Sequence, residues 1–136
     1  MKKLLPIIAL VWLVFALYLS HQTGENTADT SMKLAELLAG GDADRAAQIN
    51  VALRHAAHVI IYVVLTVLVL LSVHEYVGKH YRAAVAGLAL LTILDEATKV
   101  LVSGRHCSLA DIGLNLLGVF LGVLFCLVIR AFAAHV

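Results

Sequence analysis

The sequence predicts an all-α fold: a four-transmembrane-helix bundle with an extracytoplasmic loop that carries a short interfacial helix. Hydrophobic residues make up 62% of the 136 positions, and the mean hydropathy is +0.95, whereas soluble domains contain about 45–50% apolar residues. Four long apolar runs account for the excess, and each approaches the roughly 20 residues that a helix needs to cross a hydrocarbon core. Only the third run is interrupted by charged residues.

The first run, residues 4–20, contains no charged residue and follows two lysines. A basic start before an apolar stretch is also typical of a signal peptide. This stretch is long, however, and Tyr18 stands where cleavage would require a small residue. We therefore expect an uncleaved first transmembrane helix.

The connection at residues 21–50 is predicted to lie outside the cytoplasm, and its polar first part, residues 22–30, is expected to be irregular. Thr30 or Ser31 can cap a short helix over residues 32–39. Leucines and charged residues alternate there in a way that fits a helix lying in the membrane interface. A loosely ordered connector fits the same residues equally well.

Two further signals end this connection. Gly40 and Gly41 are expected to stop the short helix, because glycine adopts the conformations that close a helix. Asp42 or Asp44 can then cap a helix that continues through Arg54 into the second span.

The remaining spans are predicted at residues 54–74, 83–102 and 111–130, within one domain of residues 1–136. Four spans place both termini on one side of the membrane. The ten basic residues divide equally between the two sides, so their count does not decide the orientation. The positive-inside rule gives most weight to residues that flank spans through short loops. Those residues favour cytoplasmic termini, and they are Lys2, Lys3, Lys79, Arg82 and Arg130.

Polar residues recur at helical spacing near the predicted outer ends of the spans. Arg54, His58 and Tyr62 are four residues apart and share one helix face. Asp95 and Lys99 are also four apart, and they lie in the outer half of the third span. Because a charge facing lipid is penalised, we expect these faces to turn inward and meet.

The expected meeting point is a polar pocket at the outer membrane surface. Its predicted members are Gln22, Arg54, His58, Tyr62, Asp95, Glu96, Lys99, Arg105, Asp111 and Asn115. Three cations and three carboxylates balance within this set. Two interpretations follow: a structural network of ion pairs that fixes helix packing, or a site that binds the headgroup of an amphiphile.

Other sequence features limit the classes of function. The net charge of +1 suggests no nucleic-acid partner. Cys107 and Cys126 are expected to lie too far apart to pair, and no metal-binding cysteine spacing is present. We predict no cofactor and no metal. Gly118 and Gly122 form a small-residue stripe that favours close helix packing, and a homodimer through this stripe is one option.

The ordered set of polar segments resembles the VanZ-like family of small bacterial membrane proteins. The matching segments are Ser20-His21-Gln22, Arg54-His55-Ala56-Ala57-His58 with Tyr62, Asp95-Glu96, Ser103-Gly104-Arg105, and Asp111 with Asn115 and Gly118. They follow the family order over almost the whole chain. One position departs, since the family usually has a glutamine where this chain has Lys99.

The resemblance implies a multi-pass protein of the bacterial inner membrane that contributes to the cell envelope. The founding member of the family is associated with low-level resistance to the glycopeptide teicoplanin. The expected partners are membrane lipids, a lipid-linked cell-wall precursor or a lipoglycopeptide. Two alternatives stay open: an enzyme acting on a lipid-linked envelope substrate with His58 as general base, held by Asp95 or Glu96, and a small proton-coupled transporter.

Overall fold

The computed structural model describes the backbone of residues 4–74 and 79–133. Lys2 and Lys3, which were used to orient the chain, lie outside these residues, as does part of the connection after the second predicted span. The described residues form helices and no strand, so the prediction of an all-α fold is confirmed.

Five α-helices follow one another along the chain. They are α1 (Leu4–Ser20), α2 (Gly24–Ala39), α3 (Ala43–His74), α4 (Lys79–Thr98) and α5 (Leu109–Ala133). A single 3₁₀ turn, Lys99–Leu101, follows α4 directly. The third predicted span therefore leaves α-helical geometry at Lys99, three residues before its expected end.

The connection between α1 and α3 differs from the sequence prediction. Residues 22–30 were expected to be irregular, and α2 instead begins at Gly24 and includes most of this stretch. The predicted caps Thr30 and Ser31 thus lie inside the helix. Glu25, Asp29 and Thr30 in this stretch are exposed, and the buried residues of α2, which packs against α3, lie in its later part. Ala35 and Ala39 are buried on α2.

The end of α2 and the start of α3 are formed as the sequence predicts. Gly40 and Gly41 have φ angles of +64° and +95°, in the left-handed region that favours glycine. The Asp42 carboxylate accepts a hydrogen bond of 3.1 Å from the backbone N–H of Arg45. This bond caps α3, which then continues without a break through Arg54.

The longest helix, α3, is the centre of the bundle. It packs against α1, α2, α4 and α5, most extensively against α5. The core lies between these helices and contains Tyr62, Leu65, Leu88 and Val119. The indole of Trp12 joins α1 to α3 by donating a hydrogen bond of 3.0 Å to the Ile61 carbonyl.

Gly118 and Gly122 explain the close contact of α5 with α3. A Cβ atom on Gly118 would lie 2.6 Å from the Val59 carbonyl oxygen, and one on Gly122 would lie 2.7 Å from the Thr66 Cβ. Both distances are too short for a real side chain. The stripe that suggested a homodimer is therefore occupied by α3 of the same chain.

Two described helices are long and apolar enough to cross a membrane: Ala43–Val73 and Leu109–Ala133. Only 22% and 28% of their most apolar stretches are buried inside the protein, which is unlike the central helix of a soluble domain. The apolar α1 is shorter, with 17 residues. The fourth candidate, α4, carries Asp95 and Glu96 near its end.

Candidate functional site

Asp95 is held by side chains from two neighbouring helices. Ser20, the last residue of α1, donates a hydrogen bond of 2.9 Å to Asp95 Oδ2. Tyr62 on α3 donates a second bond of 3.1 Å to the same oxygen. The carboxylate thus joins α4 to α1 and α3, and it does so with neutral hydroxyl groups rather than with a cation.

Glu96 and Lys99 form a buried ion pair of their own. The Lys99 ammonium contacts Glu96 Oε1, and the exposed fractions of the two residues are 0% and 1%. The backbone N–H of Ser108 approaches Glu96 Oε2 at 3.4 Å. Lys99 is the first residue of the 3₁₀ turn, and its partner Glu96 lies three residues earlier in the chain.

His58 is oriented by α5 and not by the acidic pair. Its Nδ1 lies 2.9 Å from the amide oxygen of Asn115, which accepts a hydrogen bond from the ring in the tautomer that is protonated at Nδ1. Its Nε2 faces Asp111 Oδ2 at 3.7 Å. The expectation that Asp95 or Glu96 would hold His58 is therefore wrong, because the close packing of α5 brings Asn115 to it first.

The turn between α4 and α5 brings Arg105 to the same end of the bundle. Gly104 adopts a φ of +72°, and this left-handed residue lets the chain reverse sharply. Arg105 Nε then donates a hydrogen bond of 3.0 Å to the Gln22 carbonyl. Ser108 Oγ accepts a bond of 3.2 Å from the backbone N–H of Asp111 and so caps α5.

Two cavities, each of about 440 Å³, lie at this end. The first lies among α1, α2 and α3, and eight of its 18 lining residues are alanine, leucine or isoleucine. The second lies beside the turn before α5 and is mainly polar. Four residues line both cavities: Arg54, His58, Lys99 and Arg105. The two cavities therefore share a basic wall.

The structure brings the ten predicted pocket residues to one end of the bundle in different roles. Gln22, Tyr62 and Asp95 line the first cavity only, and Asp111 lines the second. Glu96 and Asn115 lie behind the cavities, where they hold Lys99 and His58. The set thus separates into residues that face a cavity and residues that support them.

Several contributors were absent from the predicted set. His21 Nδ1 lies 3.0 Å from the Leu17 carbonyl oxygen, and its Nε2 lies 3.0 Å from Thr98 Oγ1. Ser20 and His21 both precede Gln22 in the segment that carries the family resemblance, which was the available signal. Thr98 lies in the apolar third run, and no sequence feature distinguished it as a partner of His21.

The described residues offer no group of three or more His, Cys, Asp and Glu side chains arranged to hold a metal ion. The two cysteines are both free, with Cys107 exposed and Cys126 buried. The chemical groups that line the cavities include guanidinium, ammonium, imidazole, carboxylate and hydroxyl groups.

Long, largely exposed apolar helices with polar side chains gathered at one end define a small helical membrane protein. The chain matches the VanZ/LLP1 family over residues 5–130, almost its full length. It belongs to this family. No curated protein and no solved structure matches it.

Proposed function

We propose that this protein binds the headgroup of an envelope lipid or of a lipoglycopeptide, through a phosphate or carboxylate group, at the outer leaflet of the bacterial inner membrane. In this proposal the whole chain is one domain with four spans, formed by α1, α3, α4 and α5. Both termini lie in the cytoplasm. Binding at the shared basic wall contributes to the integrity of the envelope or to resistance against glycopeptides of the teicoplanin type.

The observation that carries the proposal is the exposed guanidinium group of Arg54, which is unpaired among the described residues. Its side chain is exposed and lines both cavities. It makes no hydrogen bond or ion pair with any residue that the structure describes. A guanidinium group offers five N–H donors in a planar fork that matches phosphate and carboxylate oxygens. Arg54 is thus available to an anionic group from outside the chain.

The walls of the first cavity support an amphiphile rather than a small soluble anion. Leu19, Leu34, Leu53 and Ile60 contribute apolar side chains from three helices. A hydrocarbon chain packs against such a wall through van der Waals contacts, as lipid tails do against apolar helix faces. A headgroup at Arg54 and a chain along these residues together fit one lipid-like ligand.

The experiment compares Arg54→Gln with Arg45→Gln, since both arginines are exposed on α3 but only Arg54 lines the cavities. Each purified variant is titrated with phosphatidylglycerol and with a neutral diacylglycerol, and bound lipid is counted by native mass spectrometry. Loss of a charge-assisted bond should weaken phospholipid binding by about tenfold or more in Arg54→Gln. Diacylglycerol binding and the Arg45→Gln control should be unchanged.

The cellular arm tests the contribution to resistance. Cells that express the wild type should tolerate more teicoplanin than cells without it, and Arg54→Gln should lose this gain while accumulating in the membrane to the same level. Equal phospholipid binding by Arg54→Gln and wild type would remove the basis of the proposal.

A second candidate function is supported by the geometry of His58. In the tautomer that is protonated at Nδ1, the ring donates to Asn115, and Nε2 can accept a proton at the shared wall of the cavities. This arrangement fits a general base acting on a lipid-linked substrate. Turnover of a lipid phosphate that is lost in His58→Ala and kept in His55→Ala, whose residue also lines the second cavity, would favour the enzyme.

A further inference from the structure

We propose that the headgroup recognised here is zwitterionic, with a phosphate for Arg54 and a primary ammonium for Asp95, as in a phosphatidylethanolamine. This inference rests on the proposed function and names the ligand of the same site. It is carried by the first cavity, which is lined by a buried carboxylate as well as by arginines.

The two oxygens of Asp95 have different environments. Oδ2 accepts both hydroxyl hydrogen bonds, from Ser20 and from Tyr62. Oδ1 is buried and accepts no hydrogen bond from any residue that the structure describes. The residue as a whole is only 4% exposed. A buried carboxylate oxygen without a donor is unfavourable. A donor from outside the described residues would therefore stabilise this atom.

The neighbouring cationic groups do not fill this role. His21 Nδ1 lies 3.7 Å from Asp95 Oδ1, but its proton is directed to the Leu17 carbonyl oxygen at 3.0 Å. Lys99 lines the same cavity and is paired with Glu96. The negative charge of Asp95 is therefore left for a positively charged donor that enters the cavity.

A primary ammonium would supply both the hydrogen-bond donor and the positive charge that Asp95 Oδ1 lacks among the described residues. It carries three N–H donors and a positive charge, and it forms charge-assisted bonds with carboxylates. The quaternary ammonium of a choline headgroup has no N–H to donate. Phosphatidylglycerol supplies hydroxyl donors but no positive charge. The site should consequently prefer ethanolamine headgroups to both of the others.

The first test uses the wild-type protein alone, so that folding of a variant cannot affect the result. Purified protein in detergent is offered phosphatidylethanolamine, its N-acetylated form, phosphatidylcholine and phosphatidylglycerol, and bound lipid is measured by native mass spectrometry. Phosphatidylethanolamine should bind about tenfold more tightly than each of the others. Equal binding of the native and N-acetylated lipids would overturn the inference.

The second test changes the carboxylate. Asp95→Asn keeps the shape of the side chain and removes its charge, so the preference for phosphatidylethanolamine over phosphatidylglycerol should disappear. Asp44→Asn is the matched control, because Asp44 is an exposed carboxylate on α3 that lines neither cavity, and its preference should equal that of the wild type. An unchanged preference in Asp95→Asn, or an equal loss in Asp44→Asn, would contradict the assignment.

The results also separate this inference from the proposed function. If Arg54→Gln weakens phospholipid binding and Asp95→Asn leaves the headgroup preference intact, the proposed function is supported and the ammonium site at Asp95 is contradicted. If Arg54→Gln has no effect on phospholipid binding, both the proposed function and the ammonium site are contradicted. Glycerophosphoethanolamine, which has the headgroup without the chains, should compete at least about a hundredfold less well than the lipid. Equal competition would show that a free headgroup is the ligand.

Discussion

At the scale of single residues, the buried carboxylates of Asp95 and Glu96 are stabilised by different partners. Glu96 takes Lys99 as a direct ionic partner, and Asp95 takes two hydroxyl donors. Removing one member of a buried pair leaves the other charge uncompensated, whereas replacing both members can be nearly neutral. Lys99 and Glu96 should therefore act as a unit in stability.

We predict that Glu96→Gln or Lys99→Gln alone lowers the free energy of unfolding by about 3–5 kcal/mol. The double variant should lose much less than the sum, since neither charge is then buried without a partner. The measurement is a denaturant titration in detergent, arranged as a double-mutant cycle.

The control for this cycle is the ion pair of Lys33 with Asp29 on α2, which has a separation of 3.0 Å and is exposed on both sides. Removal of either partner there should cost about 0.5 kcal/mol or less. Additive losses at Glu96 and Lys99 would show that the two residues do not depend on each other.

Sequence spacing indicated that the polar side chains of the candidate site would lie at one end of the bundle, and it indicated only part of their contacts. Their membership in a functional site stays a prediction. Helical spacing placed Arg54 and His58 on one face, and Asp111 and Asn115 on another. The partners across helices depend on helix rotation and separation, which spacing does not determine. For this reason His58 meets Asn115, and Asp95 meets Ser20.

At the scale of elements, the predicted helix bounds agree best with the structure where the hydrophobic pattern in the sequence is strongest. The first apolar run gives the bounds of α1, and the glycine pair ends α2. The start of α2 was missed because residues 22–30 have no apolar periodicity. The buried residues of α2 are Ala35 and Ala39 in its later part, and the helix extends from them back to Gly24 through residues that include the exposed Glu25 and Asp29. The 3₁₀ turn after α4 had no sequence signal.

The contact between α5 and α3 gives the second prediction. Gly118→Ala should lower the free energy of unfolding by about 1–3 kcal/mol, because the new methyl group would meet the Val59 backbone and force the helices apart. Thermal unfolding in detergent measures the effect. The same displacement should weaken the contact of His58 with Asn115, one turn away.

Gly113→Ala is the matched control on the same helix, since nothing lies within 4 Å of a Cβ atom at that position. Alanine there should be neutral or should stabilise the protein by up to about 1 kcal/mol, because it favours the helix more than glycine does. A loss in Gly113→Ala equal to that in Gly118→Ala would point to helix propensity rather than to close packing.

At the scale of the whole molecule, polarity is distributed unevenly along the bundle. The ionic and hydrogen-bonded groups described above gather where α1 and α4 end and where α5 begins. A further groove, lined by Ala9, Leu13, Leu65 and Leu88 among others, is apolar and lies further along the bundle. The buried carboxylates and the shared basic wall thus lie at one end of the bundle. The orientation of the chain decides from which leaflet a ligand reaches them.

The proposed orientation predicts the labelling of Cys107, which is exposed in the turn before α5. In intact cells that carry Cys126→Ala, a membrane-impermeant maleimide should label Cys107, because this turn lies on the outer side. A cysteine introduced by Ala133→Cys in a Cys107→Ser, Cys126→Ala background should be labelled only after permeabilisation, since α5 ends in the cytoplasm in this arrangement. The reverse pattern would place the basic wall at the inner leaflet and would exclude direct contact with an external glycopeptide.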